Sequence, residues 1–115
     1  MHLKLLVHES LGNNRFVVTN CSREDIPIGT AVNFLFIQTT KYVDGIFGEP
    51  QFTCKTAVRL KIVEISFWRK PHSCVPAGHH AGVRFEGESL SLLDKQIDDC
   101  PEGSYVFVST ETPDD

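Results

Sequence analysis

Residues 67–87 read Phe67-Trp68-Arg69-Lys70-Pro71-His72-Ser73-Cys74-Val75-Pro76-Ala77-Gly78-His79-His80-Ala81-Gly82-Val83-Arg84-Phe85-Glu86-Gly87. The segment predicts the end of a strand, a turn rich in basic and aromatic residues, an Ala-Gly turn, a second strand and a glycine. Glycine and proline mark the breaks, because both residues favour turns over regular structure. The segment therefore predicts short β-strands joined by compact turns.

The rest of the chain shows the same pattern. Apolar and polar residues alternate with a period of two, as in half-buried strands. Predicted strands cover residues 3–7, 16–18, 31–37, 52–68, 83–85 and 105–108. In the long stretch, we expect Val58, Leu60, Ile62 and Glu64 to share one face. Many short strands with regular breaks indicate an all-β barrel or sandwich, with at most one short helical turn near residues 90–97.

Length and composition set the domain organisation. The chain has 115 residues, 41% of them hydrophobic, which suffices for one core. We expect a single β-barrel domain over residues 1–110 and a disordered acidic tail over residues 111–115.

Because no long apolar run and no signal-peptide pattern is visible, we expect a cytoplasmic protein that does not enter a membrane. Its four cysteines are then expected to be reduced thiols, two disulfides of a secreted protein being the alternative.

Charge is distributed unevenly along the chain. The net charge is −4, yet residues 55–84 hold six basic side chains against Glu64, and residues 85–115 hold nine carboxylates against Lys95. One interpretation is a basic face that attracts anions and an acidic face that keeps the protein soluble. The alternative is that these charges simply occupy solvent-facing strand positions.

Three further segments extend the pattern of residues 67–87. They are Phe16-Val17-Val18-Thr19, Ile26-Pro27-Ile28-Gly29-Thr30-Ala31-Val32 and the polar turn from Gly87 to Gln96. Together with residues 67–87, they resemble domain II of translational GTPases of the elongation factor Tu type, over roughly residues 3–110. The resemblance implies a small antiparallel β-barrel of the translation-factor domain II type. The chain departs from the family in a longer loop at residues 41–51 and in lacking a P-loop, so neither GTP hydrolysis nor a nucleotide cofactor is expected.

The resemblance also implies a possible ligand, the aminoacylated 3′ end of tRNA, which domain II helps to hold. Arg69 matches the family arginine. Ser66 stands at the acidic position, His80 at the asparagine position and Arg84 at an apolar one. Since one position of four agrees, the resemblance predicts inherited architecture more strongly than an inherited tRNA pocket.

The functional prediction is a non-catalytic binding module, because function in such barrels lies in surfaces added to the fold. A protein partner is expected at two places: Ile46 and Phe47 in the loop 41–51, and a basic-aromatic edge of Trp68, Arg69, Lys70, His79, His80 and Arg84. Such a module would regulate or occlude a translation factor, or act as an immunity-type inhibitor. The alternative partner is RNA, whose bases and phosphates would contact the same basic-aromatic edge. For Ile46 and Phe47, the alternative to partner binding is a hairpin that folds these two side chains back onto the barrel.

Two chemical alternatives are weaker. His72, Cys74, His79 and His80 include metal-ligand types, but their spacing is not that of a zinc finger or ribbon. Cys74 near His72 could be an activated nucleophile, yet neither an orienting carboxylate nor an oxyanion-hole pattern accompanies it. We therefore expect no metal, no cofactor and no enzymatic activity.

Overall fold

The computed structural model of the chain describes residues 3–40, 42–49 and 51–111, with the backbone alone for Tyr42, Val43 and Phe47. Within these residues the chain forms eleven strands and one helix. They are β1 (Lys4–Gly12), β2 (Arg15–Asn20), β3 (Ile26–Pro27), β4 (Ala31–Thr39), β5 (Tyr42–Val43), β6 (Ile46–Phe47), β7 (Gln51–Phe67), β8 (Lys70–His72), β9 (Cys74–Val75), β10 (His80–Gly87), α1 (Leu90–Asp99) and β11 (Ser104–Ser109).

Six of the strands close into an antiparallel ring. Their order is β10-β2-β1-β11-β4-β7, and pairing of β10 with β7 joins the two ends. Strand β8 extends the sheet as a hairpin partner of β7. Closure satisfies the backbone hydrogen bonds that an open sheet would leave at its edges. The all-β prediction, a small antiparallel barrel, is confirmed; the likeness to domain II stays a prediction.

The barrel interior is filled from alternate strand positions, as the period-two pattern predicts. Phe16 and Phe85 lie at the centre, fully buried, with ring centroids 5.7 Å apart. The surrounding core includes Leu5, Val7, Val18, Val32, Leu35, Val58, Leu60, Ile62, Ile65, Val83, Val106 and Val108. Two small strands, β3 and β9, add Ile26 and Val75 to this core.

One predicted core position is wrong. Val58, Leu60 and Ile62 are buried as expected, but Glu64 lies on the outer surface and Ile65 takes the next inward position. The cause is a β-bulge in β7. Phe85 pairs with Ile62 and Arg84 pairs with Glu64, so β7 has one extra residue relative to β10 at this point. An extra residue exchanges the two faces of a strand from that point onward.

The helix is longer than the short helical turn predicted near residues 90–97, since α1 runs from Leu90 to Asp99. Leu93 is fully buried, and Leu90, Leu92 and Ile97 pack against the barrel core. Among the described residues, no helix is long and apolar enough to cross a bilayer. Of the predicted acidic tail, Glu111 is described and residues 112–115 lie outside the described part of the chain.

Candidate functional site

The turn between β7 and β8 has an unusual sequence for its backbone. Phe67 pairs with Lys70, so the hairpin loop consists of Trp68 and Arg69 alone. Both have positive φ, 53° and 60°, which in a two-residue hairpin loop defines a type I′ turn. Asn-Gly and Asp-Gly are the preferred pairs there, because positive φ strains residues that carry a bulky side chain. Trp-Arg is therefore a strained choice for this turn.

Trp68 projects from this turn into solvent, with 79% of its surface exposed. Its ring meets Phe67 edge-on at a centroid distance of 5.5 Å and lies 6.4 Å from the ring of His79. Phe67 itself packs against the barrel core. Of these two adjacent aromatic residues, Phe67 therefore turns inward and Trp68 outward.

His72 stabilises the base of the turn. Its ring stacks on Phe67 at 3.5 Å and 3° between planes, and its Nε2 lies 3.1 Å from the Phe67 carbonyl oxygen. The sequence suggested His72 as a metal ligand or as an activator of Cys74, and not as part of the turn. The missed signal was its register, since a residue two positions after Lys70 lies beside the strand that carries Phe67.

Two basic residues follow Trp68 in the sequence. Arg69 and Lys70 are both exposed, and neither forms an ion pair with a carboxylate within the described ranges. We call residues 67–70, with His72 and His79, the aromatic tip. It combines an exposed aromatic side chain with two positive charges that have no carboxylate partner among the described residues.

His80, predicted to act with His79, lies elsewhere. Strand β10 begins at His80 and places its side chain on the outer sheet surface, where Nδ1 lies 2.6 Å from the Thr19 hydroxyl. His8, which no sequence pattern singled out, approaches the same hydroxyl through Nε2 at 2.6 Å. Burial and the nearby His80 lower the pKa of His8, against a smaller opposing effect of Glu9. The predicted basic-aromatic edge is thus divided between two sites.

Arg84 is also removed from that edge by its partners. Its Nε lies 3.7 Å from Glu64, and one terminal nitrogen lies 3.7 Å from Glu86. Glu64 additionally pairs with Arg15 at 2.9 Å. This network neutralises Arg84, so Arg69 and Lys70 are the cations of the predicted edge that stay available.

Ile46 follows another two-residue turn, Asp44–Gly45, whose φ values are 52° and 81°. Its side chain is 70% exposed, so the alternative in which Ile46 folds back onto the barrel is wrong. The side chain of Phe47 is not among the described parts of the structure. Along the chain, Ile46 precedes the first residue of β7 and Trp68 follows its last.

The four cysteines are free thiols. All four are unbridged; Cys21 and Cys54 are exposed, and Cys74 and Cys100 are half-buried. Burial raises the pKa of the Cys100 thiol, which lowers its reactivity at neutral pH. No group of three or more Cys, His, Asp or Glu side chains with metal-binding geometry occurs in the described part of the chain.

Comparison with known proteins found no counterpart: no protein-family model, no curated protein and no solved structure matches the chain.

Proposed function

We propose that the protein is a non-catalytic β-barrel module that binds another protein through the aromatic tip. One observation carries the proposal: Trp68, 79% exposed, occupies a turn whose backbone disfavours it. Exposed backbone strain with no gain in packing is a feature of sites kept for function. A rigid aromatic side chain at such a position is suited to fill a partner's pocket.

Interface energetics support this role. Tryptophan and arginine are the residues most often found as binding hot spots, and a protruding ring can be desolvated completely in a pocket. The ring of Trp68 lies 5.5 Å from that of Phe67 and 6.4 Å from that of His79. These contacts limit its rotation, which reduces the conformational entropy that binding would cost.

The charge distribution favours protein over RNA. Binding of a nucleic-acid backbone needs several cations along a groove. The aromatic tip offers Arg69 and Lys70, whereas Arg84 is paired with Glu64 and Glu86. The chain as a whole carries a net charge of −4. RNA binding is therefore the second candidate and an outcome of the experiment below.

The biological setting we propose follows the resemblance to translation-factor domain II. A closed antiparallel barrel is the architecture that this resemblance implies. A cytoplasmic module of this kind would regulate a translation factor, or inhibit one as an immunity-type protein does, by occupying the surface that its domain II contacts.

The test is affinity capture from an extract of the native host treated with ribonuclease. Wild-type protein should retain a specific protein partner, and Trp68→Ala should weaken the purified complex by about 2 kcal/mol or more, roughly thirtyfold in Kd. Tyr105→Ala is the matched control, because Tyr105 is also an exposed aromatic residue (53%) but lies on β11. It should bind normally.

Two outcomes would contradict the proposal. If Trp68→Ala captures the same partner with unchanged affinity, the aromatic tip is not the contact surface. If ribonuclease removes all capture, and binding of purified protein to RNA weakens steeply with salt, the module recognises RNA.

A further inference from the structure

Three neighbouring strands bring two histidines to one point on the outer barrel surface. His80 on β10 pairs directly with Thr19 on β2. On β1, Val7 pairs with Val18 and Glu9 with Val17, so His8 is the additional residue of a β-bulge. Bulges redirect a side chain out of the regular alternation. Here the bulge accompanies a His8 ring that lies beside Thr19 and His80.

The two rings aim nitrogen atoms at the same oxygen. His8 Nε2 and His80 Nδ1 each lie 2.6 Å from Thr19 Oγ1. The two nitrogens are consequently no more than about 5.2 Å apart. The ring centroids are separated by 5.6 Å and the planes are inclined by 54°. The two imidazole nitrogens therefore converge on one oxygen, and the rings are not stacked in parallel.

We propose that His8 and His80 form a two-histidine site for a late first-row divalent metal ion. Imidazole is a favoured ligand of zinc, copper and nickel. Metal–nitrogen bonds of about 2.0–2.1 Å place two ligand nitrogens roughly 3–3.4 Å apart. Rotation of the two side chains that moves each nitrogen by about 1 Å reaches this distance from the upper limit of about 5.2 Å. The Thr19 hydroxyl moves aside or takes a third position, and water completes the coordination.

The electrostatics of the site agree with this assignment. Metal binding uses the lone pair of a neutral imidazole nitrogen. Glu9 directly follows His8 on β1, so a carboxylate is the sequence neighbour of one proposed ligand. His8 and His80 are both exposed, which leaves the site open to ions from solution.

Calorimetric titration of the purified protein with Ni²⁺ tests the proposal. Wild type should bind one equivalent that depends on both histidines. Loss of an outer-shell partner costs a metal site about 10–100-fold in affinity, so His8→Ala and His80→Ala should each cost at least that much. His79→Ala is the matched control, because it neighbours His80 in sequence but lies beside Trp68. It should leave this equivalent intact.

A structural readout makes the outcome independent of heat changes. Paramagnetic Ni²⁺ should broaden backbone NMR signals of residues around His8, Thr19 and His80 before all others, in wild type but not in His8→Ala. Because both histidines are exposed, the variants should keep the wild-type melting temperature, and that measurement shows they are folded. Unchanged Ni²⁺ affinity in the two single variants, or broadening centred elsewhere, overturns the site.

Discussion

Two hairpin turns of this barrel share a backbone and differ in chemistry. Between β1 and β2, Asn13 and Asn14 have φ of 53° and 62°; between β7 and β8, Trp68 and Arg69 have φ of 53° and 60°. Asparagine tolerates the left-handed region because its short polar side chain bonds locally, whereas tryptophan and arginine gain nothing comparable. The first turn has residues suited to folding, and the second does not.

The surroundings of the two turns sharpen the contrast. The Asn14 carbonyl accepts a hydrogen bond from the Phe85 amide at 3.0 Å, so the first turn is fastened to the barrel. Trp68 instead exposes most of its surface beyond the sheet. The Asn13–Asn14 turn has residues that suit its backbone, as expected of a turn that only supports the fold. The Trp68–Arg69 turn does not, and a selective advantage other than folding is the simplest cause. The cost of positive φ at open and at crowded positions can be measured directly.

The largest expected effect is at a positive-φ position without open space. Gly87 has φ of +147°, and a Cβ added there would lie 1.9 Å from the Arg59 carbonyl oxygen. Gly87→Ala should lower the free energy of unfolding by about 3 kcal/mol or more, because strain and a backbone clash combine. Urea denaturation followed by tryptophan fluorescence and circular dichroism measures the loss.

Gly12→Ala is the control for that experiment. Gly12 also has positive φ, +81°, but an added Cβ would meet nothing within 4 Å. We expect a cost of about 1 kcal/mol, from backbone strain alone. Equal losses in the two variants would show that strain dominates everywhere, and the distinction between open and crowded positions would be wrong.

The second prediction exchanges the chemistry of the two turns. Trp68→Asn with Arg69→Gly should stabilise the protein by about 1–2 kcal/mol, since two strained residues are replaced by ones that favour a type I′ turn. The same double variant should lose the protein partner. Chemical denaturation and affinity capture on one preparation measure both effects.

The reciprocal variant, Asn13→Trp with Asn14→Arg, is the matched control. It should destabilise the fold by a similar amount and leave partner capture unchanged, because the new ring lies on a different hairpin. A Trp68→Asn/Arg69→Gly protein that is more stable and still binds its partner would remove the link between turn strain and binding.

The sequence predicted the strands well because a barrel strand alternates strictly over most of its length. Val58, Leu60 and Ile62 were placed on the core face, and all three are buried. Glu64 was misplaced because a bulge depends on the partner strand, here β10. His8 is also a bulge residue, so its approach to Thr19 and His80 could not be read from its own strand.

The candidate site was predictable in part, for a related reason. Proximity in sequence placed His79 and His80 in one edge, although neighbouring residues at the start of a strand point to opposite sides. Arg84 was included in the edge, but its pairing with Glu64 depends on how β10 and β7 align across the sheet, which the sequence of one strand does not show. The predicted strand 52–68 included Trp68, whereas β7 ends at Phe67. The positive φ of Trp68 and Arg69 follows from the two-residue length of the loop, which pairing with β8 determines.

The smallest expected effect tests whether strain alone marks a binding site. Cys54 has φ of 54° within β7 and is exposed. It lies at an irregularity where Ile37 pairs with Thr53 and Leu35 with Thr56. Cys54→Asn should raise the free energy of unfolding by about 0.5 kcal/mol, because asparagine accepts this backbone more readily. Partner capture should not change, since position 54 is on the opposite half of β7 from Trp68. If Cys54→Asn abolished capture, partner binding would depend on strained backbone at several positions. The aromatic tip would then not be the specific contact surface.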